Sequence, residues 1–510
     1  MTDNDSTGIP NALVPTAKKK LFYGWFVVAG GFMLMATCYT IFVNCIPLFQ
    51  SHMVSELGIS MSAFNTGVML CTAVAIFASL IFGFLIDKIS SRLLGAITVI
   101  TTSIVLVLFS FITAAWMLYA LCIVAGIVVV AGTRLLASVI IANWFTFRRG
   151  LAVSIALSGS GFGGVLLSPL VSHIIETWGW RPAFLVLAVV AAIASLPIIL
   201  IFFYNRPADK DLEPYGTGMT AGKQEDKSAD TPVTVSIGWK VLIKHGGFWI
   251  VILGFIAMGI VNGAVITNSV TNMTSVTLAG QEIVTGGHDT IWAGYVWSLY
   301  LAVVIVAKIS LGAIYDRFGL KAGTLLGTVA CVIAAIALCF PATDYGPIVA
   351  AVAFGFGTCM GTVSPPIHAV KQYGKKDLGT VTGIITALEL LGAAVGALVS
   401  GILFDRFLTF IPAWIMVLVA AIMMGVCLLA GIPQARRLVD KRIAAGAPLL
   451  DAEGFEIAAS SSVAAMVEVP VAAVVETPVA GQLDIPVAAA VETPFEAPAE
   501  TPTTPTQAGL

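Results

Sequence analysis

Three ionisable side chains stand where the sequence is otherwise apolar: Arg134, Lys308 and Glu389. A charge in such a setting costs at least about 2.5–3.5 kcal/mol if the stretch lies at membrane depth, so each reads first as a functional group. Arginine stays charged, so Arg134 cannot carry a proton. It can grip a carboxylate through two parallel hydrogen bonds or hold Glu389 in an ion pair. Lys308 is a point charge on a flexible stem, suited to following a moving anion; the competing reading is a lysine that snorkels to the membrane surface. Glu389 shares a small-residue face with Thr382, Thr386, Gly392, Ala393 and Gly396, which turns it toward other helices. Desolvation favours the neutral form of a carboxyl and a nearby cation the ionised form, so a group set between them can load and release a proton. The plainer reading makes it a structural partner for a cation. Two cations and one carboxylate leave one net positive charge, which suits a monoanion.

Other residues can complete such a site. Trp297, Leu301 and Val304 fall on the face of Lys308 at helical spacing. Trp297 walls a pocket there or simply packs. Tyr39, Asn44, Asn262, Asn268 and Tyr300 are further polar groups inside apolar runs. The expected substrate set is Lys308, Arg134, Trp297, Tyr300, Tyr39 and Asn262, with Glu389 for proton coupling. His173 and His368 are expected at membrane interfaces. No phosphate-cradling loop, metal-ligand cluster or nucleophile–base pair is evident, so no cofactor, no metal and no catalytic chemistry are expected. The eight cysteines form no CxxC pair and read as small buried apolar residues.

The elements that must position these groups are membrane helices. The chain is 58% hydrophobic and 11% charged, against about 25% charged in soluble domains. Apolar runs long enough to span a bilayer fall at 22–49, 60–86, 93–113, 114–143, 150–176 and 181–204, then at 245–275, 290–314, 321–340, 345–369, 379–404 and 411–432. Of the 26 Lys and Arg, only Arg181 and Arg406 lie in odd-numbered connections, and only Arg134 and Lys308 in spans. The rest mark both termini and the even-numbered connections as cytoplasmic, which requires an even number of spans. In these runs Arg134, Lys308 and Glu389 lie within roughly 10 Å of the midplane, on its cytoplasmic side. The first run is too long for a cleavable signal, so a multi-pass protein of the cell (inner) membrane is expected.

The spans repeat. Gly83-Phe-Leu-Ile-Asp87-Lys88 closes the second and Gly312-Ala-Ile-Tyr-Asp316-Arg317 the eighth, 229 positions later (83 to 312). The same offset carries Gly150 onto Gly379. The expected fold is all-α: twelve transmembrane helices in two six-helix repeats, an arrangement that places a site between the halves. This divides the chain into a cytoplasmic N-terminus (1–21), a first half (22–204), a central cytoplasmic loop (205–244), a second half (245–432) and a cytoplasmic tail (433–510). The tail repeats a Pro/Ala/Val/Glu/Thr unit at 470–478 and 486–494 and is expected to be largely disordered and acidic.

The pattern Gly83…Asp87-Lys88…Arg92 and its copy Gly312…Asp316-Arg317…Lys321 resemble the loop signature of the major facilitator superfamily. The first copy has Ser90 where glycine is usual. The resemblance implies that Gly83, Asp87, Arg92, Gly312, Asp316 and Arg317 latch one conformation. Trp144-Phe145-x-x-Arg148-Arg149-Gly150-Leu151-Ala152, followed by Ser158-Gly159-Ser160-Gly161, resembles the oxalate:formate antiporter and monocarboxylate porter branch, as does Tyr23-Gly24-Trp25. That branch implies secondary transport of a small organic anion by alternating access, with proton symport or anion exchange, and a substrate-binding cation on the eighth helix that Lys308 matches. It also implies a second cation on the eleventh helix; Glu389 stands there instead, which favours a monocarboxylate over a dianion. Two rival expectations remain: a proton-coupled exporter of drug-like or cationic compounds that uses Glu389, and a non-transporting sensor or scaffold acting through the tail. The expected partners are a carboxylate, protons or an exchanged anion, and the lipid bilayer, with no nucleic acid.

Overall fold

The computed structural model describes residues 22–86, 88–145, 149–210, 212–215, 237, 239–278, 281–374 and 378–444. Among them, twelve helices are long and apolar enough to cross a membrane. The first half holds α1 (Gly24–Leu57), α2 (Met61–Ile86), α3 (Ser91–Phe109), α4 (Ala115–Trp144), α5 (Arg149–Trp178) and α6 (Trp180–Phe202). The second holds α7 (Gly246–Met273), α8 (Thr290–Tyr315), α9 (Arg317–Leu338), α10 (Tyr345–Tyr373), α11 (Leu378–Phe407) and α12 (Ile411–Ala444). A two-stranded antiparallel hairpin, Ser275–Leu278 with Gln281–Val284, links α7 to α8.

Local chemistry sets the helix ends. Ser90, the departure from the loop signature, accepts the Leu93 N–H and caps α3. His245 caps α7 and Asp289 caps α8. Gly319, at φ 80°, breaks an otherwise continuous helix in the first turn of α9, a conformation that glycine adopts without a Cβ clash. Two helices outrun the expected spans by two turns or more: α1 continues to Leu57 and α12 to Ala444, against expected ends at 49 and 432. Extra turns at the bundle ends carry mixed polar residues, which hydropathy alone does not count.

Within each half, helices approach closely through small residues. A side chain at Gly163 of α5 would run into the Ala36 carbonyl of α1, and one at Gly263 of α7 into the Ala393 carbonyl of α11. Close backbone approach of this kind replaces the hydrophobic drive that lipid does not supply. The halves meet along α2–α11 and α5–α8, and the end of α1 packs on α7.

The two ends of the bundle differ. At the end bearing the hairpin, here the far end, the halves are joined by a buried amide network. Gln50 Nε2 donates to Asn65 Oδ1 at 2.7 Å and to Asn268 Oδ1 at 3.0 Å, and Thr271 Oγ1 donates to Gln50 Oε1 at 2.7 Å. Asn65 Nδ2 donates to the Ala397 carbonyl, and Asn268 Nδ2 to Ser400 Oγ. Asp405 of α11 accepts the Met61 and Ser62 N–H groups at 2.8 Å each, capping α2 across the interface. At the opposite, near end, the first half is clamped within itself. Tyr23 packs on Trp144 and Trp25 on Phe145, while Trp144 Nε1 donates to the Tyr204 carbonyl. The Tyr23-Gly24-Trp25 and Trp144-Phe145 strings therefore build one structural clamp.

Candidate functional site

A cavity of roughly 260 Å³ lies between the halves, with Arg134, Lys308 and Glu389 all in its lining. Tyr39, Asn262 and Tyr300 line it as well. Of the expected set, Trp297 alone lies off it. Its indole is 2% exposed, packs on Tyr300 and donates through Nε1 to the Asn44 carbonyl at 2.6 Å, tying α8 to α1.

Backbone irregularities aim the first-half groups. On α4, Leu118, Cys122, Ala125 and Val129 follow one another at helical spacing along the cavity wall. A regular helix would bring Thr133 next into that stripe. The π-helical turn Val130–Leu135 inserts one residue, so Arg134 enters the stripe and Thr133 is fully buried behind it. On α1, two successive π-helical turns, Met35–Tyr39 and Ile41–Cys45, bring Tyr39 and Asn44 to the cavity. Asn44 Nδ2 and Thr40 Oγ1 both donate to the Ser160 carbonyl, at 3.1 and 2.9 Å.

The second half supplies a connected polar wall. Asn262 Nδ2 donates to Glu389 Oε1 at 3.1 Å, and Thr358 Oγ1 donates to Asn262 Oδ1 at 2.9 Å. Thr358 sits where α10 is interrupted, between Gly357 and Cys359. One turn on, a Cβ at Gly361 would stand 2.6 Å from Asn262 Nδ2 and 2.7 Å from Glu389 Oε1, so glycine leaves the carboxylate its place. Thr358 and Gly361 carried no signal in the sequence beyond a run of small residues; only the break in α10 makes them part of the site.

Among the described residues the ion pairs are Arg181–Glu56 and His288–Asp344, both at the far end. Arg134 and Lys308 belong to neither, and the expected alternative of an Arg134–Glu389 ion pair is not formed. Arg134 is nevertheless near enough for its charge to act on Glu389, Tyr39 and Lys308. Both cations thus line a mostly apolar cavity without an ion-pair partner among the described residues, with Glu389 as the carboxylate that shares the cavity.

The remaining sequence candidates lie elsewhere. His368, expected at an interface, is fully buried: Nε2 meets Thr324 Oγ1 at 3.2 Å and Nδ1 meets Gln372 Nε2 at 3.0 Å. Its hydrogen bonds are satisfied inside the second half, so a place near a span end does not by itself turn a side chain to the membrane surface. Of the latch residues, Asp87 lies outside the described residues. Arg92 stands over the Tyr204 ring at 3.5 Å, within its own half. Gly312 has no atom within 4 Å of where a side chain would begin. Gly83 lies in the last turn of α2, and Asp316 and the exposed Arg317 at the junction of α8 and α9.

The profile of the Major Facilitator Superfamily matches residues 28–372 and 293–476. The chain belongs to that superfamily. It is accordingly a membrane transporter and not an enzyme, and its two halves are the repeats of the superfamily fold. Among solved structures it is similar to the nucleoside transporter NupG, with a TM-score of 0.57 at 14% identity over 81% of this chain and 99% of that one. It is also similar to a D-xylose–proton symporter, with a TM-score of 0.58 at 16% identity over 79% of this chain and 97% of that one. These likenesses concern the fold. In sequence it is 33% identical over 174 residues to monocarboxylate transporter 12-B of Danio rerio, covering 32% of this chain and 34% of the relative. It is 27% identical over 305 residues to monocarboxylate transporter 11 of Mus musculus, covering 58% of this chain and 62% of the relative. The matched stretches thus span about a third of the first relative and under two thirds of the second. They support the branch resemblance carried by the Trp144–Ala152 and Tyr23–Trp25 strings.

Proposed function

We propose that this transporter moves a small organic anion, a monocarboxylate, by alternating access, coupled to proton symport or to anion exchange. One observation carries the reading: Arg134 and Lys308 line one cavity between the halves, and neither has an ion-pair partner among the described residues. An unpaired cation facing an apolar cavity is costly unless an anion arrives to neutralise it. The carboxylate of the substrate accepts from both cations. Glu389, held by Asn262, takes and gives the coupling proton. The net charge of the three groups is +1, so one carboxylate balances it. The names of the monocarboxylate transporters matched in sequence agree with this reading.

The near end faces the cytoplasm in this proposal, because the basic residues of the termini and even-numbered connections gather there. The far-end amide network then seals the outer side, and transport requires Gln50, Asn65 and Asn268 to separate. Counterflow in proteoliposomes tests the proposal. Lactate, pyruvate or formate should exchange with wild-type protein and fail to exchange with Lys308→Ala. Exchange of no carboxylate at any pH, or an unimpaired Lys308→Ala protein, overturns it. The cation-export reading makes the opposite demand: tolerance of Lys308→Ala and failure of Glu389→Gln.

A further inference from the structure

The cavity is larger and more apolar than a three-carbon acid requires. Its volume of roughly 260 Å³ holds on the order of nine waters at about 30 Å³ each, whereas lactate has about six non-hydrogen atoms. The charges also gather at one end of it. On α4 the apolar stripe Leu118–Val129 lies between Arg134 and the far end. On α8, Leu301 and Val304 lie on the far-end side of Lys308, and on α11, Ala393 and Ala397 lie on that side of Glu389. Phe42, Val43 and Ile46 of α1 with Val68 and Cys71 of α2, all half-buried, complete the lining, and α2 packs on both α4 and α11. The cavity therefore has a charged floor and an apolar chamber that ends under the far-end seal.

Resting on the anion reading above, we infer that the preferred substrate is an amphiphilic monocarboxylate with a phenyl-sized apolar body. The carboxylate meets Lys308 and Arg134 at the floor, and the body fills the chamber against α1 and α2. A one- to three-carbon acid neutralises the floor and leaves the chamber wet. Each methylene that enters the chamber improves affinity about fourfold. Val68 is the residue that sets the usable length, because its side chain stands in the α2 wall between Phe64 and Cys71, which also line the cavity, and is only partly packed.

Isothermal titration of the full-length protein in detergent, with propanoate, pentanoate and 3-phenylpropanoate, tests this. Wild-type Kd should fall at least 100-fold from propanoate to 3-phenylpropanoate. Val68→Phe should raise the Kd of 3-phenylpropanoate at least tenfold and leave propanoate within twofold. Val68→Ala, which only removes volume, should extend the preference toward longer acids and guards against a misfolded Val68→Phe protein. A flat series, or one in which propanoate binds best, overturns the apolar-chamber inference while leaving the anion reading standing. Binding of none of the three acids, or binding unchanged by Lys308→Ala, overturns the anion reading and this inference with it.

Discussion

The two halves share one frame and divide the work of the cavity unequally. The 229-residue offset sets Glu389 of α11 opposite Ser160 of α5, and both positions line the cavity. In the second half that position carries a carboxylate, tied through Asn262 to Thr358. In the first half it carries a hydroxyl that donates to its own helix at Leu157, while its backbone carbonyl takes the Thr40 and Asn44 donors. The same offset sets Lys308 opposite Ser79, which donates to the Ile76 carbonyl of its own helix and lies off the cavity. The first half instead contributes aromatic and aliphatic wall, and one cation, Arg134. The lesson is that the duplicated glycines build a scaffold twice, whereas a binding site needs its charges once. A second copy of each would add repulsion and a further desolvation cost.

Removing the second half's cation should have the largest effect. Lys308→Ala is expected to weaken carboxylate binding about 100-fold, the value of one charge-assisted hydrogen bond at its upper range; titration with 3-phenylpropanoate measures it. A loss smaller than that of a first-half variant would reverse the assignment of the polar wall to the second half. Glu389→Gln comes next. It should retain counterflow and lose accumulation driven by an inward proton gradient, with the pH dependence of uptake flattened; a pH profile identical to wild type removes Glu389 from coupling. Arg134→Lys should weaken binding about tenfold, because the charge stays while the bidentate grip is lost. If it matches Lys308→Ala, the two halves share the anion equally. The smallest effect is expected of Ser160→Ala, within about 0.5 kcal/mol in thermal stability and with unchanged counterflow, since the site uses the Ser160 carbonyl and not its hydroxyl. A large loss there would make the first-half position as functional as its counterpart.

Much of this was legible in the sequence, because lipid imposes simple rules. A bilayer demands long apolar helices with internally bonded backbones, so twelve runs were countable and Arg134, Lys308 and Glu389 stood out against them. A small-residue face turned Glu389 toward other helices, but the sequence could not show which way Arg134 faced. Regular helical periodicity puts Thr133 on the cavity stripe; an inserted π-helical residue puts Arg134 there. Trp297 shares the Lys308 face by spacing, yet the tertiary structure turns its indole onto the Asn44 carbonyl and out of the cavity. His368 lies near a span end and is buried among Phe255, Thr324 and Gln372.

What the sequence by itself determined is the membrane class, the repeat and the list of charges, because these follow from composition and from spacing along one chain. What only the tertiary structure decided is the pairing across chain distance. Asn262 and Thr358 hold Glu389 from two other helices, and Gln50, Asn65 and Asn268 join the halves at the far end. The break in α10 and the π-helical turns of α1 and α4 aim side chains by a fraction of a turn. Such rotations depend on which neighbours can donate a hydrogen bond to a displaced backbone carbonyl, and that is a property of the assembled bundle.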